Sequence, residues 1–579
     1  MRRKIVGVCG SGISGSLAAN ILAKNGFEVH IFEAGRGPGG RTSTRRHEQH
    51  SFDHGAQYIK TAKTTTFKSL MDEWIADDIL KEWTGNFVDY DEDASSFTLS
   101  TSRRYVAVPA MNSLCRKLVL NKNNIHCHFA QRIKATPAPM TLTEPGSGLG
   151  SAAGWHVVDA QTGNLIKEVD WLLTTDKSSM VKVPVVAPTT HDPEGVTKTS
   201  ASASNADSWD EETNHSGSIK NKDKTDKNDE SHYQQRLHPQ QPPTPQQQQQ
   251  QQQAIDAIQE LERDTALILD SVGTAPVLTA MVLLDSPVPR SVLPYDSVTF
   301  LSTPPPNAAS IGTRSTGSSS AAESGTDHMI ESKSKSSASS RSVQNPQQSI
   351  IGWIARDSSK PDRTNSSCSK ECWVIQSTTQ FADEVIQQMN QSHGVQSQIP
   401  SFEELKQRVN KVTNETLVEA FIHFVQQHQQ STLSNGQKNS APVTIDTTTT
   451  TTGHYDITDH IVHTIGHRWG AAFPVIDTEA ESYEARNVLL AGAPMHPGTS
   501  GRKSGSAKNL TTATTAGNGA GEGRGQGEGI NGQAYVNPTI QFAACGDFFD
   551  PTTAGRVEGA ANSAVQAVNL IISCTTNDN

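Results

Sequence analysis

The chain has 579 residues, of which 34% are hydrophobic, and its formal net charge at pH 7 is −11. This negative balance, without a basic stripe, argues against a nucleic-acid-binding protein. No apolar run reaches the length of about 18 residues that predicts a membrane-spanning helix, and the first apolar segment is interrupted by glycines, which is not typical of a signal peptide. The 7 cysteines are scattered along the chain. Since this is expected of free thiols in a reducing compartment, we expect a cytoplasmic protein.

The N-terminal segment has the pattern of a strand, a glycine-rich turn, a helix and a second strand. Residues 4–9 predict a buried strand, and residues 16–25 predict a helix. Between them stands the sequence GSGISG at residues 10–15. The second strand is predicted at residues 27–32 and ends at the acidic Glu33.

This spacing of glycines is typical of a dinucleotide-binding turn. Gly10 would permit the tight turn, Gly12 would let the backbone approach a pyrophosphate, and Gly15 would let the helix pack on the strand. The free N–H groups at the helix N-terminus attract phosphate, and Glu33 could accept hydrogen bonds from ribose hydroxyls. The alternative is a surface glycine turn in another βα unit. The predicted cofactor contacts of this segment are Gly10, Gly12, Ile13, Ser14, Gly15, Glu33 and Ala34.

A second glycine cluster follows at residues 35–41, with the sequence GRGPGGR. An ordinary nicotinamide-dependent dehydrogenase would usually continue into a third strand here. Gly40 instead predicts another close approach of backbone, and Arg41 could donate charge-assisted hydrogen bonds to a pyrophosphate. The alternative is a flexible loop with a solvated arginine.

Three tracts are too polar to contribute to a hydrophobic core. Residues 188–253 are rich in Ser, Thr, Asn, Asp and Lys and end in glutamines, residues 303–347 are rich in Ser, Pro and Gly, and residues 497–533 are dominated by Gly, Ser, Thr and Ala. We predict that they are disordered insertions, because they cannot bury enough apolar surface to offset the entropy of ordering. Between the first two, residues 255–269 have apolar residues at helical spacing and predict a helix.

The histidine pattern does not predict a metal site. His47, His50 and His54 lie close together in the sequence. His463 and His467 stand four residues apart in a segment with strand character, so we do not expect both on one face. Because neither group has carboxylate or thiolate neighbours at metal-ligand spacing, we predict no metal.

The C-terminal segment adds another strand followed by a helix. Residues 542–547 predict a short buried strand that ends at Asp547, after Cys545 and Gly546. The glycine-containing segment 555–559 would begin the helix. The alternative is an ordinary capped terminal helix.

The acidic residue, spacer and G-G-R motif at residues 33–41 resemble the FAD-dependent amine-oxidase superfamily. Further segments, in the same order along the chain, resemble its renalase-like branch. They are GRGPGGRTSTRR at 35–46, FDHGAQY at 52–58, RYVAVPAM at 104–111, IARDSSKP at 354–361, HRW at 467–469, and Gly546–Asp547 with residues 555–560. The chain departs from that branch where Ala107 and Ala110 replace glycines, and where Phe548 and Phe549 stand in place of a more common tryptophan.

The resemblance implies an α/β, two-domain flavoprotein with a Rossmann-like FAD-binding domain and a mixed-sheet substrate domain. The FAD-binding domain would comprise residues 1–60, 105–180 and 536–579, and the substrate domain residues 61–104, 254–302 and 348–496. Residues 125–133 would form a strand whose backbone faces the adenine. Further FAD contacts are implied at Gly40, Arg41, Gly55, Ala56, Ala130, Gly546, Asp547 and Val557.

The resemblance also implies the reaction, in which a hydride passes from a carbon next to nitrogen to flavin N5 and dioxygen is the acceptor. FAD would be non-covalent, because Cys545 lacks the sequence context of covalent members. Gln57 and Tyr58 would face the flavin ring, whereas Lys360 and Trp469 would face the substrate, with Arg356, Asp357 and Arg468. Alternatively, Lys360 is a loop lysine in a salt bridge and Trp469 is a core aromatic residue.

Three functions remain open at this stage. The first is a renalase-like oxidase of reduced nicotinamide derivatives. The second is an amine oxidase that acts on a primary or secondary amine. The third is a catalytically vestigial flavin-binding scaffold whose polar tracts recruit partners.

Overall fold

The computed structural model describes most of the chain outside the polar tracts. The described residues are 2–138, 154–175, 272–301, 349–363, 369–391, 402–438, 455–476, 534–549 and 553–576, together with isolated positions between 245 and 263. Apart from positions 245, 249 and 252, the three polar tracts lie outside them. Within the predicted helix 255–269, positions 256, 259 and 263 are helical and exposed, and its apolar positions lie outside the described residues.

The strands and helices are numbered in chain order. The strands are β1 (Ile5–Cys9), β2 (Glu28–Phe32), β3 (Arg45–His47), β4 (His50–Phe52), β5 (Ile59–Lys60), β6 (Leu80–Glu82), β7 (Phe87–Asp91), β8 (Ser96–Leu99), β9 (Arg104–Ala107), β10 (Ile125–His128), β11 (Ile133–Pro137), β12 (Trp155–Asp159), β13 (Leu165–Val169), β14 (Trp171–Thr174), β15 (Val272–Leu284), β16 (Ser297–Leu301), β17 (Ile351–Arg356), β18 (Glu371–Ser377), β19 (Ile461–Ile476), β20 (Tyr535–Asn537) and β21 (Phe542–Ala544). The helices are α1 (Ile13–Lys24), α2 (Thr65–Ala76), α3 (Ser113–Val119), α4 (Thr379–Gln391), α5 (Phe402–Val412), α6 (Val418–Lys438) and α7 (Val557–Thr576), with a π-helical turn at Thr413–Leu417.

A six-stranded sheet has the order β10-β2-β1-β14-β21-β20, in which the first five strands are parallel and β20 is antiparallel. Its central strands are short apolar runs buried on both faces, as is typical of parallel sheets. Helix α1 contacts α3 and α7 beside this sheet. Because the strands are parallel, the carboxyl ends of β1, β2 and β14 meet at one edge, where ligands of such sheets bind.

A seven-stranded sheet has the order β19-β15-β18-β17-β16-β7-β8. Strands β16 and β7 are parallel and the other pairs are antiparallel. Its core includes Trp373 and Ile375 of β18, which are fully buried in a cluster with Phe421 and Val425 of α6. The predicted α/β class, with a Rossmann-like sheet and a separate mixed sheet, is therefore confirmed.

Two expectations for individual segments are wrong. The strand predicted at 125–133 is divided between β10 and β11, which belong to different sheets, because Ala130 between them has a left-handed φ of 54°. His463 and His467 lie on the same face of β19, because side chains four residues apart in a strand share a face. Their rings pack on those of His47 and His54, at centroid distances of 3.8 and 4.6 Å.

The described residues also form three smaller sheets, in the orders β11-β12-β13, β5-β9-β6 and β3-β4. None of the helices within the described ranges is long and apolar enough to cross a membrane.

Candidate functional site

A cavity of about 1030 Å³ joins the two large sheets. At one end it is lined by Gly10 and Glu33, which follow β1 and β2 directly. At the other end it is lined by Val277 of β15, Thr299 of β16 and Gln376 of β18. The cavity therefore connects the carboxyl edge of the parallel sheet with the seven-stranded sheet.

The first glycine turn brings bare backbone to the cavity. Gly10 has a φ of 94°, and a Cβ there would lie 2.5 Å from Thr175 Oγ1. A Cβ on Gly15 would lie 2.0 Å from the carbonyl oxygen of Gly10, so only glycine lets α1 begin this close to the turn. Among the described residues, no side chain caps the N-terminus of α1 after Gly12. Ile13 and Ser14, the first residues of that helix, line the cavity.

Glu33 fixes the shape of this turn. Its Oε2 accepts hydrogen bonds from the backbone N–H and the hydroxyl of Ser11, at 2.9 and 2.8 Å. Its Oε1 accepts one from the backbone N–H of Gly35 at 2.7 Å. A carboxylate has about four acceptor positions, so Oε1 retains one for a ligand hydroxyl.

The second glycine cluster touches the first. The N–H of Gly39 donates to the carbonyl of Ser11 at 2.9 Å. Gly40 has a φ of 51°, and a Cβ there would lie 3.0 Å from the Cα of Gly12. The two loops therefore present one continuous surface of main chain, which a side chain at Gly40 would cover.

Arg41 pairs with Asp547 across the cavity wall. Nη1 of Arg41 donates to Oδ2 of Asp547 at 2.7 Å, and Nη2 donates to Oδ1, so the pair is bidentate. The Arg41 side chain is 40% exposed and that of Asp547 is 3% exposed. This bidentate ion pair therefore fixes the Arg41 guanidinium, and the exposed part of the Arg41 side chain remains accessible to a ligand in the cavity.

Behind the cavity wall lies a buried ionic network around Lys360. Its Nζ donates to Oδ1 of Asp357 at 2.5 Å and to Oε1 of Gln57 at 3.2 Å, and it lies 3.4 Å from Oδ2 of Asp53. Arg363 binds the same oxygen of Asp53 through Nη2 at 2.6 Å. Lys360 does not line the cavity, but Gln57, which it holds, does.

The pKa values of the two carboxyl groups in this network are shifted in opposite directions. Burial opposes ionisation of Asp53, but Lys360 and Arg363 lower the pKa of its carboxyl to about 2. Burial raises the pKa of Asp357 despite the adjacent Lys360. The network thus keeps its cations next to carboxylates where no water screens them.

Aromatic side chains form the end of the cavity near the seven-stranded sheet. The rings of Tyr58 and Trp353 are 5.4 Å apart. The guanidinium of the buried Arg104 lies over both rings, at 4.6 Å from Tyr58 and 5.0 Å from Trp353. Nε1 of Trp469 donates to the carbonyl of His54 at 3.0 Å, which fixes the indole beside the cavity.

The rings of His54 and His467 pack edge to face, and the His467 ring also contacts that of Trp469. Burial lowers the pKa of His54 to about 4 and that of His467 to about 3, so both rings are neutral at pH 7. Within the described part of the chain, the buried Nδ1 of His54 has no hydrogen-bond partner.

The N-terminus of α7 closes the cavity on its third side. Gly555, with a φ of 73°, and Val557 line it just before and at the helix start. Glu558 also lines the cavity, but its Oε1 accepts the backbone N–H groups of Lys63 and Thr64, each at 2.8 Å. Gly546 serves packing, since a Cβ there would lie 2.4 Å from the Phe548 ring.

The structure brings most of the predicted site residues to this one cavity. Those that line it are Gly10, Gly12, Ile13, Ser14, Glu33, Ala34, Gly40, Arg41, Gly55, Ala56, Gln57, Tyr58, Trp469, Asp547 and Val557. Those that do not are Gly15, Ala130, Gly546 and Lys360, and the further residues Arg356, Asp357 and Arg468. Arg356 is instead buried against Glu371 and over the Trp373 ring.

Sequence reasoning missed several lining residues. Trp353 and Gln376 come from β17 and β18, Lys60 lies just beyond the FDHGAQY segment, and Arg556 lies within the segment 555–560. Gln376 donates to the carbonyl of Gly55 at 2.8 Å and so ties β18 to the FDHGAQY loop. Only Lys60 and Arg556 carried a signal, because Lys60 lies two residues after the FDHGAQY segment and Arg556 directly precedes the predicted contact Val557.

Comparison with known proteins gives one family match and several structural matches. Residues 8–74 match the NAD(P)-binding Rossmann-like domain family. A protein of Exiguobacterium sp. 255-15, described as a candidate protoporphyrinogen oxidase, is similar in structure with a TM-score of 0.44 and 10% identity, covering 100% of each chain. A wild-type putrescine oxidase bound to putrescine is similar with a TM-score of 0.42 and 10% identity, covering 99% of each chain. The N-terminal part of the chain is thus similar to NAD(P)-binding Rossmann-like domains.

Proposed function

We propose that this protein is an FAD-dependent oxidoreductase that takes a hydride from a carbon next to nitrogen in a reduced nicotinamide-type substrate, with dioxygen as the acceptor. The observation that carries the proposal is the single cavity of about 1030 Å³ that extends from the dinucleotide turn to the seven-stranded sheet. A cavity of this size exceeds what one nicotinamide ring needs and suits a dinucleotide with a second ring beside it.

The residues at the parallel-sheet end fit FAD. The pyrophosphate would lie on the joined main chain of Gly12 and Gly40, at the uncapped N-terminus of α1 and within reach of Arg41. The remaining acceptor position of Glu33 suits a ribose hydroxyl. Cys545 favours non-covalent binding, because it does not line the cavity and burial raises the pKa of its thiol to about 12.

Bound there, FAD would supply a hydride acceptor at ring N5 and a route for electrons to dioxygen. The N-terminus of α7 would stabilise negative charge on the pyrimidine end of the ring, since the free N–H groups of a helix start carry partial positive charge. Gln57 accepts a hydrogen bond from Lys360 and donates one to the carbonyl of Gly55, so its side chain is already fixed in position before a ligand binds. Gly55 and Ala56 line the cavity and would place no long side chain against the ring.

The charges near the substrate end favour a dinucleotide over an amine. Burial lowers the pKa of Lys60, and the neighbouring cations Arg556 and Arg104 lower it further, whereas Asp89 raises it. The Arg104 guanidinium, which does not line the cavity, lies over one face of each of the Tyr58 and Trp353 rings, and its positive charge would repel an amine cation bound beside them. The phosphates of a reduced nicotinamide dinucleotide would be attracted to the same group of cations.

Anaerobic reduction tests the proposal. Purified protein should show a flavin spectrum whose chromophore is released by acid. Mixing with the 2- and 6-dihydro isomers of NAD should bleach it rapidly, while a panel of primary and secondary amines should not. Bleaching by amines alone would favour the amine oxidase, and flavin that no compound bleaches would favour the vestigial scaffold.

The cationic end can be tested separately. We expect Lys60→Met and Arg556→Met each to raise the half-saturating concentration of the dihydronicotinamide about tenfold, with flavin content unchanged. Lys63→Met is the matched control, because this exposed side chain lies outside the cavity lining. Equal effects in all three variants would contradict a specific role for the two cations.

A further inference from the structure

A cluster of metal-ligand side chains lies at the edge of the six-stranded sheet, away from the cavity. Glu28 and His30 stand two residues apart on β2 and so share one face of the sheet. His126 of the edge strand β10 is paired in register with His30. One ligand atom from each of the three lies within 4.8 Å of the others. Oε1 of Glu28 is 2.9 Å from Nε2 of His30, and the rings of His30 and His126 stack at 4.7 Å.

From this geometry we infer that Glu28, His30 and His126 form a binding site for a divalent transition-metal ion of the Zn²⁺ class. Two imidazoles and one carboxylate are ligands that Zn²⁺ prefers. With bonds of about 2.0–2.2 Å, tetrahedral ligand atoms stand closer together than 4.8 Å, so the side chains must converge slightly. Because His126 is exposed and the Glu28 side chain is 32% exposed, both can move without disturbing the core.

His128 supports the site from the other side of His30. Its Nε2 is 3.0 Å from Nδ1 of His30. When Nδ1 carries the proton and donates to His128, Nε2 of His30 presents its lone pair towards the Glu28 oxygen. In this tautomer the two facing lone pairs, 2.9 Å apart, repel each other, and a metal ion bound by both atoms would remove the repulsion. Metal-bound imidazoles are usually held through their second nitrogen in this way.

One competing cation is already nearby. Nζ of Lys167, on β13, is 3.4 Å from the same Oε1 of Glu28. The ion-free alternative is a chain of hydrogen bonds in which His128 donates to His30 and His30 donates to Glu28, with Lys167 completing the charge balance. The Lys167 side chain is 30% exposed, so it can turn into solvent when an ion enters. Metal binding and Lys167 therefore compete for one carboxylate.

The site is separate from the proposed flavin cavity, since none of Glu28, His30, His126 or His128 lines it. An ion would reach it directly from solvent, past the exposed His126. His126 lies next to Glu28 and His30 because strands β2 and β10 pair side by side. The histidine positions that stood out in the sequence did not include them, because their proximity depends on strand register.

The test is a titration of the metal-free, full-length protein with Co²⁺. We expect visible absorption of a tetrahedral type that saturates at one ion per chain and disappears when Zn²⁺ is added. His126→Ala should weaken Co²⁺ binding by more than about 100-fold, the upper range for losing even an indirect partner. His423→Ala is the matched control, because His423 is also exposed but lies on α6.

Lys167→Met separates the proposal from the hydrogen-bond chain. If an ion competes with Lys167, this variant binds Co²⁺ more tightly than the parent protein. The inference is overturned if the parent binds no Co²⁺, or if His126→Ala keeps the same affinity and spectrum. Since His126 is exposed, its loss should not prevent folding, and circular dichroism of the variant verifies this.

Discussion

The Lys360 ammonium lies between two carboxylates in a part of the protein from which water is excluded. Its side chain and those of Asp53 and Asp357 are 0% exposed. Such a network costs desolvation energy when it forms, so its effect on stability appears mainly when one partner is removed. Lys360 also holds Gln57 at the cavity, and we therefore treat it as a positioning residue.

We predict that Lys360→Met lowers the free energy of unfolding at pH 7 by about 3–5 kcal/mol, because it leaves a buried carboxylate without its cation. Urea denaturation measures the loss. Lys68→Met is the control, since the Lys68–Asp72 pair is exposed and should contribute less than about 1 kcal/mol. The variant should lose less at pH 4. As the pH falls, the Asp357 carboxyl, whose pKa burial raises, takes up a proton more readily than an ordinary carboxyl, and in its neutral form it no longer needs a cation.

The paired rings of His54 and His467 make stability depend on pH. Their pKa values in the folded protein, about 4 and about 3, lie below the ordinary value of 6.5. Below pH 6.5 the unfolded chain therefore binds protons that the folded protein does not. The contribution of these two rings to stability is complete above pH 6.5 and is lost as the pH falls towards 4.

We predict that His467→Gln reduces this pH dependence by up to about 1.4 kcal/mol per pH unit between pH 6 and 4.5, the contribution of one proton. Urea denaturation at several pH values measures the slope. The exposed His423→Gln should leave it unchanged. An unaltered slope in His467→Gln would mean that the ring is protonated in the folded protein.

At the level of elements, the contact between α1 and the first glycine turn depends on one missing Cβ. A methyl group on Gly15 would lie 2.0 Å from the Gly10 carbonyl oxygen and 3.3 Å from Cγ1 of Val8. Since neither the backbone carbonyl nor the strand can yield, α1 would have to move away from β1. The phosphate-binding end of the helix would move with it.

We predict that Gly15→Ala destabilises the protein by about 1–3 kcal/mol or more, as overpacking does, and that it abolishes flavin retention during purification. Thermal unfolding and the flavin-to-protein absorbance ratio measure the two effects. Gly37→Ala is the matched control in the second glycine cluster, because no atom lies within 4 Å of its added Cβ. If Gly15→Ala retained flavin as Gly37→Ala does, the close approach would have no role in binding.

Elements specified by local sequence could be predicted, and those specified by distant pairing could not. The β1–α1–β2 unit follows from glycine spacing and apolar runs within 30 residues of chain. Strands β15 and β19 pair although they are far apart in the sequence, for example at Leu278 and Arg468, and no local sequence pattern predicts that register. The division of 125–133 depends on the left-handed conformation of Ala130, an uncommon choice for a residue with a Cβ.

At the scale of the whole molecule, the cavity is assembled from segments that are far apart in the chain. The N-terminal turns, β15 to β19 and the start of α7 all contribute lining residues. This explains why cofactor contacts within glycine motifs could be named from sequence, whereas Trp353 and Gln376 could not. It also explains why Lys360 was assigned to the substrate face: its motif was visible, but its direction towards Asp53 depends on tertiary packing.

The tract at residues 188–253 gives the final prediction. It lies between β14 and β15, which belong to different large sheets. Its Ser, Thr, Asn, Asp, Lys and Gln side chains offer little apolar surface to either core. Closing a shorter connection costs less entropy, by about 1 kcal/mol for a loop reduced to roughly a third of its length. Deleting residues 190–250 should therefore leave the flavin content unchanged and raise stability slightly or not at all.

Absorbance of bound flavin and urea denaturation of the deleted protein, compared with the parent, decide this point. Replacing the same residues with a Gly-Ser linker of equal length is the control that keeps the connection long. If the deletion loses flavin and the linker retains it, the length of the connection matters. If both lose flavin, the tract itself contributes to the cofactor site, and the composition argument would be wrong. We expect neither loss, because every predicted cofactor contact lies outside residues 188–253.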